Sequence, residues 1–241
     1  IAVLAGIVLV SLRGAKEGEN NESFVCGEDK MIDLEGNEYD TVEIGGLCWM
    51  AENLRYLPEV HDNATFKSHG TSKPAYGVYK YEDDVTVEGA KAHIWEGVNI
   101  YETYGVLYNW KAAVKACLPG TRLPTDKEWH SLELFFTEED ETCVENRPNG
   151  TWDCEPAGTA LKATTTWDSG DCTNSSGFTA LAGGARYEYS RDLRYTRSDA
   201  LFWSSTDNDK SAVRRSLKSS ELGVYRDSRN KADGFSVRCV Q

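Results

Sequence analysis

Seven cysteines, Cys26, Cys48, Cys117, Cys143, Cys154, Cys172 and Cys239, are strewn along this 241-residue chain, and none forms a Cys-x-x-Cys pair. Zinc-ligand spacing is therefore absent. The histidines, His61, His69, His93 and His130, are equally scattered. Behind an apolar, leader-like start, widely spaced cysteines point to disulfides formed in an oxidising compartment. The odd count leaves one thiol over, either free and buried or paired outside the chain. The chain is long enough for one large domain or two small ones with a real core.

The start itself reads IAVLAGIVLVSLRGAKEG. Ile1, Val3, Leu4, Ile7, Val8, Leu9, Val10 and Leu12 would surround a helix on every side, and Arg13 and Lys16 end the run. A helix apolar all round must be buried all round. Twelve helical residues cover only about 18 Å of a hydrocarbon core of about 30 Å. Neighbouring copies of the same helix would supply the missing burial, and small Ala2, Ala5 and Gly6 would let them approach closely. No Met precedes Ile1, which is expected if the sequence starts partway into a longer helix. Arg13 to Ser23 is polar and reads as a helix end and linker, so residues 1–22 are expected to stand apart from a domain at 23–241.

The formal charge of −13 argues against nucleic acid, whose phosphates need a basic footprint. The acidic runs Glu82-Asp83-Asp84 and Glu138-Glu139-Asp140-Glu141 read as solvated loops. Apolar alternation on either side of Glu35-Gly36-Asn37 predicts one hairpin across Met31–Ile44, with Trp49 and Met50 entering the core. Residues 58–100 read as a long irregular excursion. Helical spacing of Tyr108, Ala112, Ala113 and Ala116 predicts a helix over Val106–Ala116. Thr125-Asp126-Lys127-Glu128 is a capping box that opens a second helix, Asp126–Phe136. Short alternating runs after residue 143 predict antiparallel strands, giving an α+β domain with two central helices and a sheet drawn from both termini.

Several stretches occur in one order: DLEGNEYDTVEIGGLCWMAENLRY, YGVLYNWKAA, LPGTRLPTDKEWHSL, AGTALK, GFTALAGGARY, FWSSTD and KADGFSVRCV. Together they resemble the Fibrobacter succinogenes major paralogous domain, a family of bacterial surface and secreted proteins, over about residues 26–241. That family is similar in turn to the C-type-lectin-like fold shared with formylglycine-generating enzymes. The resemblance implies a disulfide from the end of the first helix to the last strand, which would join Cys117 to Cys239. Cys143 and Cys154 flank a Pro-Asn-Gly turn and are expected to close a local hairpin. Cys26 and Cys48 bracket the first hairpin, and Cys172 is left over. The opening segment resembles the later part of the N-terminal helix of type IV pilins and pseudopilins, without the cleavage site and glutamate of that family. It implies anchoring in the membrane before assembly and packing in a filament core afterwards.

Copper–cysteine chemistry of the formylglycine-generating kind has little support, because only Cys172 lacks an expected partner and no His is near it in sequence. No catalytic residue is assigned. A lectin-type calcium loop is not matched by EPAG or FWSSTDNDKS; Asp207 and Asp209 offer at most a weak Ca²⁺ site. Trp49, Trp110, Trp129 and Trp203 read as core, whereas Trp95, Trp152, Trp167, Tyr187 and Tyr189 read as exposed. RYEYSRDLRYTRSD interleaves Tyr187 and Tyr189 with Arg191, Arg194 and Arg197, a composition suited to contact with acidic loops of a neighbouring head. The expectation is a self-polymerising subunit of an extracellular, cell-surface pilus-like filament, whose head is available to a glycan or protein ligand. A monomeric membrane-anchored adhesin is the alternative, and an enzyme stands third.

Overall fold

Turn residues recur every few positions in the first half of the chain, and the elements between them are short. The computed structural model describes residues 24–82, 85–137, 141–168, 170–187 and 194–241, with only the backbone of 194–196. The apolar segment 1–12, Tyr189 and Arg191 therefore lie outside the described residues.

Strands β1 (Met31–Ile32) and β2 (Glu38–Tyr39) pair antiparallel. The Asp33 carboxylate fixes their turn, accepting from the backbone of Glu35 and Asn37 and from the Tyr39 hydroxyl at 2.6–3.0 Å. A second hairpin follows, β3 (Thr41–Ile44) with β4 (Leu47–Met50). The single hairpin expected over Met31–Ile44 is thus two. Gly45 and Gly46, at φ +63° and +80°, make a turn that a side chain would strain. Trp49 and Met50 are fully buried.

The excursion is more ordered than its composition suggests. It holds α1 (Asn63–His69), β5 (Tyr76–Gly77), α2 (Val87–Lys91), β6 (Ile94–Trp95), β7 (Val98–Asn99) and α3 (Ile100–Tyr104). The helix expected from Val106 begins later, because β8 (Leu107–Tyr108) pairs with β5 and Tyr108 N–H donates to the Phe235 carbonyl. Asn109 then caps α4 (Trp110–Ala116). The capping box of Thr125 and Glu128 is formed and opens α5 (Asp126–Leu134), which ends two residues before Phe136.

The remaining elements are β9 (Thr151–Asp153), α6 (Ala157–Leu161), β10 (Gly183–Ala185), β11 (Arg194–Thr196), β12 (Asp199–Asn208), β13 (Ser211–Lys218) and β14 (Val224–Asn230). Their six strands form one sheet of order β11-β10-β12-β13-β14-β9, antiparallel except between β10 and β12. This sheet does not include the N-terminal hairpins, contrary to the expectation. The tail instead threads between them and Arg122: Met50 N–H donates to Cys239, and Arg122 and Val240 exchange two hydrogen bonds at 2.9 Å.

Strand periodicity makes β12 serve two cores. Leu201 and Trp203 face a cluster with Tyr108, Ala112 and Phe235, while Ala200 and Phe202 face Trp49, Trp129 and Phe178. Disulfides Cys26–Cys48, Cys117–Cys239 and Cys143–Cys154 are formed, and Cys172 is free. Cys117–Cys239 spans 122 residues and ties α4 to the tail. In the chain-entropy account, closing so long a loop is worth roughly 4–5 kcal/mol.

Candidate functional site

Asp207 and Asn208 end β12, paired with Ala212 and Ser211, and Asp209 and Lys210 form the turn to β13, with Asp209 at φ +54°. On one side lies an open groove of about 560 Å³, floored by Trp110 and Lys231 and edged by Thr71, Lys111 and Asn230. Trp110 is half-buried, and its indole N–H donates to the Ser204 carbonyl at 2.9 Å, which fixes the ring. The Lys231 ammonium sits 4.4 Å from the centroid of that ring and donates to Asp207 Oδ1 and the Asp209 carbonyl, each at 2.6 Å. It thereby occupies the place a cation would take between those two oxygens, which disfavours the weak Ca²⁺ site. An indole beside amide, ammonium and carboxylate groups can offer apolar contact and hydrogen bonds to a polar ligand.

On the other side is a shallower basin of about 370 Å³ bordered by Asn149, Asn208 and Ser228. Beneath it the Asp126 carboxylate accepts three hydrogen bonds from Arg226 and one from Arg215, at 2.6–3.1 Å. Burial pushes the Asp126 carboxyl up, but the two guanidiniums outweigh it and its pKa falls below the ordinary value. Glu133 is fully buried between Arg147 and Arg215. These acids are paired and structural. Sequence reading missed the lattice because its members come from α5, β13, β14 and the 147 loop. The one local sign was the adjacent Arg214 and Arg215 in an otherwise buried strand.

The other expected positions fall as follows. Trp49, Trp129 and Trp203 are core, while Trp95, Trp152 and Trp167 are half-buried. Tyr187 is half-buried, with its ring 5.8 Å from Phe235 and the Arg229 guanidinium 5.8 Å away. Arg197 is exposed but already bonded to Asp168 at 2.7 Å, within its own chain. Arg194 contributes backbone to β11. The free Cys172 has a thiol that burial pushes up, away from the reactive thiolate.

The sequence model of the Fibrobacter succinogenes major domain matches residues 42–241. No curated protein and no solved structure gives a match.

Proposed function

Because the chain belongs to the Fibrobacter succinogenes major domain family, we propose that its described residues are the head of an extracellular pilus-like filament. The apolar segment Ile1–Leu12 builds the shaft. One observation carries this reading: that segment is apolar on every side of a helix and is followed by a polar linker and a disulfide-stapled head. A uniformly apolar helix needs burial on all sides, and equivalent helices of other subunits provide it. Head-to-tail association of this kind does not close and so grows a polymer.

The C-type-lectin-like description of the head belongs to the same proposal, supported by the covalent tie from α4 to the tail. Three disulfides accord with an oxidising, extracellular setting. Among the described residues no helix is long and apolar enough to cross a membrane. The Trp110–Lys231 groove is where a displayed head would take a glycan or protein ligand. A role in recognition accords better than catalysis with a thiol whose pKa is raised.

Electron microscopy of the full chain carrying Ile7→Asp or Val8→Asp tests the proposal. An unpaired carboxylate is costly to bury, so filaments should vanish while the head stays folded with its three disulfides. Wild-type levels of assembly in both variants contradict the filament reading. Absence of filaments from the wild type leaves the monomeric anchored adhesin in its place.

A further inference from the structure

One turn of α5 carries His130 and Glu133 toward the Cys143–Cys154 disulfide. One ligand-capable atom from each of these four residues lies within 4.8 Å of the others. His130 is only 7% exposed, and its Nδ1 has no hydrogen-bond partner. An unpaired buried nitrogen is unfavourable in the oxidised protein and calls for an occupant. Cys154 Sγ stands 3.4 Å from Glu133 Oε2, whose carboxylate is held in place by Arg147 and Arg215.

We propose that reduction of Cys143–Cys154 turns this cluster into a zinc-class metal site, with Cys143, Cys154 and His130 as ligands and Glu133 or water in the fourth position. A dithiol reductant supplies two electrons and two protons, its own sulfurs joining as the S–S bond of the protein breaks. Zn²⁺ then displaces the two thiol protons to solvent. Two thiolates, one imidazole and one oxygen make a tetrahedral set suited to Zn²⁺. The nearby guanidiniums favour the thiolate forms. Disulfide and metal are alternative clasps for the same loop, whose cysteines are 11 residues apart. In the oxidised protein both sulfurs are bonded to each other, leaving only His130 and Glu133 to a metal.

The test uses the full chain with Cys172→Ser, so that the free thiol does not contribute. It is reduced with dithiothreitol, desalted without oxygen and titrated with Co²⁺, reading thiolate-to-cobalt charge-transfer absorption. One Co²⁺ per reduced chain and none per oxidised chain is expected. His130→Gln should weaken binding by at least about tenfold, and Cys143→Ser with Cys154→Ser should abolish it. Cys26→Ser with Cys48→Ser should leave it in place. Failure of the reduced chain to bind Co²⁺, affinity undiminished in His130→Gln, or binding that survives loss of Cys143 and Cys154, overturns the proposal.

Discussion

Arg238 shows how a single residue can organise this fold without any local sign. Its guanidinium is fully buried and, among the described residues, makes no hydrogen bond to a carboxylate. It donates to Asn53 Oδ1 and to the carbonyls of Met50, Phe178 and Thr179 at 2.6–2.9 Å, and it stacks 4.4 Å from the Phe178 ring. Burial lowers its pKa to about 9, so it stays charged at neutral pH. Sequence alone shows an arginine in an apolar strand-like run; the four acceptors come from two distant segments, 50–53 and 178–179, so the cradle was not legible. Two other buried groups give the molecule a pH dependence. Burial lowers the pKa of both His61 and His130. Each is therefore neutral in the fold and binds its proton more readily when unfolded. Their contribution is fully present above the unfolded value of about 6.5 and is lost as pH falls through the lower folded values. Urea midpoints should therefore drop between pH 7 and pH 5, and His61→Gln with His130→Gln should flatten that drop. An undiminished drop in the double variant contradicts this assignment.

At the scale of elements, legibility follows the range of the interactions. The capping box of α5 involves residues three apart, and Thr125 and Glu128 mark its start without any tertiary information. The onset of α4 depends on distant partners and was misplaced. Asn109 Oδ1 accepts from Ala112 N–H and Ala75 N–H, while its amide donates to the Gly70 and Lys73 carbonyls, all at 2.8–3.0 Å. The residue is fully buried. One side chain thus starts the helix and pins the excursion to it. Asn109→Ala should cost roughly 2–4 kcal/mol, more than a simple cap, because the carbonyls it served are left unpaired. A fall in urea midpoint with unchanged m value would show this; a loss below about 1 kcal/mol would mean that water replaces the amide. The second hairpin is signalled by Gly45-Gly46, a two-residue turn of the kind hairpins favour. The candidate groove was half legible: its aspartates stood out as a polar turn, but Lys231 reaches them from β14's far end.

Across the whole molecule, charge and covalent structure divide the labour. The chain is strongly acidic overall, yet the buried cations are paired or cradled, which leaves excess negative charge for the surface. The family match begins at residue 42, while Cys26–Cys48 draws the preceding hairpin into the same body. The described body thus closes around its two cores from Cys26 to the tail. What remains is the apolar opening segment and where it finds its burial. A photocrosslinking amino acid at position 7 of the assembled full chain, mapped by peptide mass spectrometry, addresses that directly. Crosslinks should join position 7 to residues 1–12 of other copies. Crosslinks confined to residues 24–241 of the same chain would contradict the filament core.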